Sequence, residues 1–229
     1  METVKFEEIR NLSYREVWNY QQRLHDELKS KKLSAEKPVE RVEHHLLFCE
    51  HSHVYTLGKS GSMDHLLLSE TQLQGSGVEF FKINRGGDIT YHGPGQITAY
   101  PIFDLEQFFT DVHKYVRFLE ESVINTLKAF NIVGFRIPKY TGVWVGDSIQ
   151  SRKICAIGVH LSRWVTMHGF AFNVNTDLSY FENIIPCGIT EDNLKVTSME
   201  EELGLKVDMK SVESVLKLEL AKLFNYQYL

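Results

Sequence analysis

Cysteine is scarce. The 229-residue chain has three, Cys49, Cys155 and Cys187, and no CxxC pair. So low and odd a number argues against a disulfide framework, and the spacing argues against a structural zinc site. Free thiols in a reducing compartment fit better. Basic charge is not in excess either: the formal net charge is −5, and no Lys/Arg stripe is visible. That is not the footprint of a nucleic-acid binder. No apolar run approaches the roughly 20 residues of a membrane span. The opening METVKFEEIRNLSYREVW has no apolar h-region and carries early acidic residues, unlike a secretory signal or transit peptide. A cytoplasmic protein without membrane attachment is expected. There is no repeat, low-complexity segment or linker, so one domain over 1–229 is expected.

What is present is an ordinary globular balance, with 43% hydrophobic and 24% charged residues. Ser13 and Glu16 form a capping box before a helical stripe of Val17, Tyr20, Leu24 and Leu28 over 13–30. Strand-length apolar runs follow at His45–Cys49, Val54–Leu57, Val78–Ile83 and Ile97–Phe103. A long helix is expected near 111–131, on Val112, Val116, Leu119, Val123 and Leu127. Further strands are expected near Val133–Ile137, Val143–Val145, Lys153–Leu161 and Val165–Val174. Thr197 with Glu200 reads as a second capping box, and a last helix is expected near 209–225. Strands and helices without strict βα alternation point to an α/β (α+β) fold with a mixed sheet flanked by helices.

Three segments carry chemistry. The first runs from Arg85 to Gln96, with four glycines, a proline, an arginine and a histidine between two strand-like runs. Glycines let a ligand approach backbone N–H groups. Arg85 offers a bidentate donor, and His92 a donor or acceptor. The stretch is no dinucleotide fingerprint, because a strand and not a helix follows it. Gly58-Lys59-Ser60 is no phosphate loop, because His53 stands where that motif needs glycine. In the second segment, strand alternation puts Lys153, Cys155 and Ile157 on one face. A lysine there is often only a solvated strand end, but partial burial would suit it to proton transfer. In the third, Cys187 lies between Pro186 and Gly188, in a turn and not in an apolar run, as expected of an accessible thiol. A nearby ammonium lowers a thiol pKa from its usual value of about 8.5, and the thiolate is the nucleophile. Cys49 and Cys155 read as core residues. His44, His45, His51 and His53 have no HExxH-type partner pattern and read as surface or core, and Asp177 reads as turn or cap chemistry.

Together these segments resemble the lipoyl(octanoyl) transferases. The matching motifs are Arg85-Gly-Gly-x-x-Thr-Tyr-His-Gly-Pro-Gly-Gln96, Tyr100-Pro-Ile, Arg152-Lys-Ile-x-x-Ile-Gly-Val159, His168-Gly-Phe-Ala-x-Asn-Val-Asn175 and Pro186-Cys-Gly188. They run in order over about 45–200, the motif-bearing core. The resemblance implies the fold of biotin and lipoate protein ligases. It implies transfer of octanoyl from an acyl carrier protein to a lysine of lipoyl domains, in 2-oxoacid dehydrogenase E2 subunits and the glycine-cleavage H protein. It implies Cys187 as the acyl-thioester nucleophile and Lys153 as its partner. Acyl-site residues would be Arg85, Gly86, Gly87, Asp88, Ile89, Thr90, Tyr91 and His92, then Ala156, Ile157 and Gly158, then Gly169, Phe170 and Ala171. Asp88 falls where the family's pattern varies. No metal or cofactor is implied, and no ATP for the first half-reaction, since one thioester replaces another. A monomer is expected. The competing readings are an ATP-dependent lipoate ligase of the same fold and a non-enzymatic module that binds lipoyl domains.

Overall fold

A computed structural model describes residues 1–34, 42–147, 149–186 and 194–229. Helix α1 (Tyr14–Ser34) begins at the expected capping box. Ser13 Oγ accepts from the Glu16 N–H at 3.3 Å, and the Glu16 carboxylate accepts from the Ser13 N–H at 2.8 Å. Among the described residues, nine strands form the main sheet. In spatial order eight of them are β12 (Tyr226–Tyr228), β1 (Glu2–Ile9), β2 (His44–Cys49), β6 (Gln96–Ile102), β10 (Val165–Asn173), β9 (Ser151–Ser162), β8 (Tyr140–Gly146) and β7 (Phe135–Ile137). The ninth, β11 (Leu194–Val196), lies parallel to β9. β1 is parallel to both its neighbours and the remaining pairs are antiparallel, so the sheet is mixed, as expected.

Both faces of this sheet are covered, which is why all six residues of β2 are buried. One face carries α3 (Val112–Ala129) and α5 (Met209–Phe224). Their Leu119, Val123, Leu216 and Leu220 pack with Leu46, Phe48, Ile97 and Phe172. On the other face, the α1 stripe packs with Leu47, Tyr100 and Ile102. Beside α1 stands a second sheet in the order β4 (Glu79–Lys82), β3 (Val54–Leu57), β5 (Ile89–His92). Its Val54 and Phe81 share a core cluster with Tyr14 and Trp18 of α1.

Several sequence expectations change. The glycine-rich stretch is not all loop: Ile89–His92 pairs antiparallel with Leu57–Val54, so its second half is β5. β1, β11, β12 and the short helix α2 (Glu70–Gly75) have no counterpart in the sequence reading. The second capping box is displaced by one residue. Helix α4 (Met199–Leu203) is capped by Ser198, whose Oγ accepts from Glu201 N–H at 3.2 Å. Thr197 cannot cap it, because its N–H donates to the Lys153 carbonyl at 2.9 Å and continues the strand.

The largest correction concerns β9. Val143 pairs with Cys155, but Trp144 pairs with Lys153, so Ile154 is one residue too many for β8. A bulge of this kind re-aims side chains. Cys155 and Ile157 join the helix-side core, whereas Lys153 lines a cavity together with Ala156. The expected common face of Lys153, Cys155 and Ile157 is thereby broken. Opposite the bulge, Gly142 has φ +127°, and a Cβ there would stand 2.5 Å from the Cys155 carbonyl oxygen. Gly142→Ala is expected to destabilise the fold by about 1–3 kcal/mol. Urea unfolding would read this as a lower midpoint, and an unchanged midpoint would show that the bulge tolerates a side chain.

Candidate active site

The cavity lies between the main sheet and the glycine-rich stretch. Side chains on one sheet face recur every second residue, about 6.6 Å apart. The first row holds Gln96 of β6 opposite Asn173 of β10. The second holds Thr98 opposite Ala171, with Ala156 of β9 beyond. The third has Gly169 opposite Gly158. Small residues in the second row leave room above the sheet, while at Gly158 in the third row the place a Cβ would take lies 2.7 Å from the Gly86 carbonyl oxygen. One chamber is lined by Lys153, Gln96, Asn173, Phe181 and Pro186. A second, larger one is lined by Arg85, His92, Gly158, Gly169 and Tyr100. Thr90, Ala156 and Ala171 line both, so the two chambers adjoin at these residues.

Lys153 is buried, at 5% exposure, and its Nζ lies 4.7 Å from the centre of the Trp144 ring. That is a cation–π distance. Among the described residues, no carboxylate stands within 4.0 Å of this ammonium. Cys187 and Gly188 lie outside the described residues. The chain that leads to them is held in place: Ile185 N–H donates to the His65 carbonyl at 2.8 Å, and Leu67 N–H to the Asn183 carbonyl at 2.9 Å. Pro186 then lines the Lys153 chamber.

One hydrogen-bond chain sets the polar rim. Arg85 Nη2 donates to Thr56 Oγ1 at 2.9 Å, and to the Thr56 carbonyl at 2.6 Å. Gln96 Nε2 donates to Asn173 Oδ1 at 2.9 Å and to the Tyr91 carbonyl at 3.1 Å. Gln96 Oε1 is therefore the acceptor for His92 Nδ1 at 2.8 Å. His92 carries its proton on Nδ1, and its Nε2 accepts from the Thr56 hydroxyl at 3.3 Å. Asn173 Nδ2 ends the chain on the Thr197 carbonyl at 2.9 Å.

Of the residues singled out from sequence, Arg85, Gly87, Thr90, His92, Ala156, Ile157, Gly158, Gly169, Phe170 and Ala171 all line the larger chamber. Gly86, Asp88, Ile89 and Tyr91 do not; they hold the stretch in place. Gly86 N–H donates to the Val159 carbonyl at 2.9 Å. Asp88 bridges His65 and accepts from Ile89 N–H at 2.7 Å. Ile89 is in the small-sheet core. Tyr91 stacks on Tyr180 with ring centres 4.8 Å apart and bonds His53 at 2.6 Å. Sequence reasoning passed over Gln96, Thr98, Tyr100, His168 and Asn173 as site residues, although all but Thr98 stand in the quoted motifs. It also passed over Tyr14, which has no local signal. Cys155 is fully buried in the core, where burial and then Glu120 push its thiol well above the usual range. Cys49 is also buried, and burial raises its thiol too. Asp177 caps residues 178–183, accepting from Ser179 N–H at 3.0 Å.

The profile of the family described as "Lipoyl protein ligase A/B catalytic domain" matches residues 13–221. An octanoyltransferase of Cytophaga hutchinsonii is 52% identical over 229 residues, covering 97% of this chain and 93% of its own. One of Flavobacterium psychrophilum is 51% identical over 227 residues, 97% of each chain. Among solved structures, a bipartite lipoate protein ligase from Thermoplasma acidophilum is similar at TM-score 0.72 and 14% identity, covering 100% of this chain and 86% of that one. A lipoate-protein ligase A bound with ATP is similar at TM-score 0.69 and 15% identity, covering 100% and 88%. At such identities the two structures show a shared fold.

The imidazoles around the slot are neutral. Burial, and then His51, holds His92 well below the usual range. Burial pushes His51 down to about 4, and burial followed by Arg85 pushes His168 down to about 3. A histidine depressed in the folded state protonates first in the unfolded state, so stability falls as pH drops through its unfolded pKa of about 6.5. Each such group contributes a slope of up to about 1.4 kcal/mol per pH unit below that point. Urea midpoints are expected to fall steadily from pH 7 to pH 5. A flat profile over that window would mean the imidazoles are not buried neutral.

Proposed function

This chain belongs to the octanoyltransferase family, within the lipoyl protein ligase A/B catalytic domains, and we propose that it works through a Cys187 thioester. It is an acyltransferase of protein lipoylation. In our reading the donor is an octanoyl thioester of an acyl carrier protein. The acceptor is one lysine of a lipoyl domain, of the kind carried by 2-oxoacid dehydrogenase E2 subunits and the glycine-cleavage H protein. The chain would work as a cytoplasmic monomer.

One observation carries this proposal. The buried Lys153 side chain shares its small chamber with Pro186, the residue before Cys187, and that chamber adjoins a larger one at Thr90, Ala156 and Ala171. A cation close to a thiol favours the thiolate. The thiolate attacks the donor carbonyl carbon, and the tetrahedral intermediate collapses with loss of the carrier's thiolate, which takes a proton from the Lys153 ammonium. The acceptor amine then attacks the Cys187 thioester. Lys153, now neutral, takes the amine's proton, and the Cys187 sulfur departs as thiolate. The larger chamber holds the acyl chain meanwhile, over the Ala156/Ala171 pair.

Cys187→Ser is expected to lower transfer by about three orders of magnitude or more while leaving the fold intact. Wild-type turnover in that variant would end the covalent mechanism. Mass spectrometry after incubation with octanoyl carrier protein should find one octanoyl group on the Cys187 peptide; the adduct on Cys155 would refute the site. Lys153→Ala should move thiol alkylation to higher pH and slow acyl-enzyme formation, and an unmoved profile removes the lysine from this role. A strict requirement for ATP would favour ligase chemistry instead.

A further inference from the structure

We propose that the Tyr14 ring is the end wall of the acyl chamber and sets the length of chain transferred; this rests on reading the slot as the acyl site. Lys153 lines only the small chamber and Tyr14 only the large one. A chain anchored near Lys153 would pass Thr90, Ala156 and Ala171, which line both chambers. Tyr14 bounds the chamber it then enters, with its ring 6.0 Å from that of His92. The ring is 1% exposed and fixed in place as the first residue of α1. It packs against His51 and Phe81 at ring-centre distances of 5.0 Å and 5.1 Å.

Two other polar walls of this chamber are tied to the protein. Tyr100 hydroxyl and His51 Nε2 are 2.7 Å apart, and His168 Nε2 meets Asn84 Oδ1 at 2.7 Å. The Tyr14 ring is held instead by ring contacts, with Trp18 and His92 as well as His51 and Phe81. Its side chain contributes volume to the wall, and a change of its size changes the depth of the chamber.

The test compares kcat/KM for six-, eight-, ten- and twelve-carbon acyl-carrier thioesters, with melting curves as the check on folding. Tyr14→Leu should raise the ten-to-eight-carbon ratio about tenfold or more, the effect of matching a pocket to extra methylenes. Tyr14→Trp should raise the six-to-eight-carbon ratio in the opposite sense, and decides the matter if the Leu variant does not fold. Tyr14→Phe keeps the ring and should move either ratio by less than about threefold. A folded Leu or Trp variant with wild-type ratios overturns the proposal, as does a Phe variant shifted as far as the Leu variant. A wild-type protein that transfers no acyl group from any of these thioesters overturns the functional reading itself, and this inference with it.

Discussion

A lysine can be kept out of water on a core strand only if the strand still buries its apolar neighbours on the other side. In β9 one extra residue meets both demands. With Ile154 inserted against β8, Cys155 and Ile157 turn into the helix-side core while Lys153 and Ala156 share the cavity face. Regular alternation would have put the ammonium on the face of Cys155, among Leu127, Val143 and Phe172. The bulge depends on Gly142, whose positive φ lets β8 pass the Cys155 carbonyl. It depends also on β11 and Thr197, which bond the outer edge of β9 at Lys153.

Around that cation the molecule separates polar from apolar surface. The rim is a single donor-to-acceptor chain from Arg85 through Thr56, His92 and Gln96 to Asn173, and each member's role forces the next. Burial keeps the imidazole in it neutral, so Arg85 is the charged member of this chain. The floor is alanine and glycine. At Gly158 a Cβ would come 2.7 Å from the Gly86 carbonyl oxygen, so the glycine-rich stretch lies directly on the sheet. The slot is thus bounded where the segment before β5 touches the main sheet, Gly86 against Gly158.

Much of this was legible one segment at a time. The stripes of α1, α3 and α5 follow from spacing, and the Ser13–Glu16 box is a four-residue pattern that needs no partner. The motif stretches supplied ten of the fourteen expected binding residues that line the larger chamber. The other four, Gly86, Asp88, Ile89 and Tyr91, alternate with lining residues, because half of any strand or turn must face its supports. Tyr14 was silent because nothing about the first residue of a helix tells what it caps. β5 read as loop because glycines surround it and its partner β3 lies more than thirty residues upstream.

The sequence by itself determined the local vocabulary of this protein: which segments are helical, which are strand-length, where glycine permits close approach, and which residue types can do acyl-transfer chemistry. These depend on side-chain spacing and backbone freedom within a few residues, and survive out of context. The tertiary structure alone decided the direction of Lys153, the tautomer of His92 and the wall formed by Tyr14. Each depends on a partner far away in the chain: β8 for the bulge, Gln96 and Thr56 for the imidazole, Phe81 and His51 for the ring. Such pairings are chosen by the burial and hydrogen-bonding of the whole fold, which no single window of residues contains.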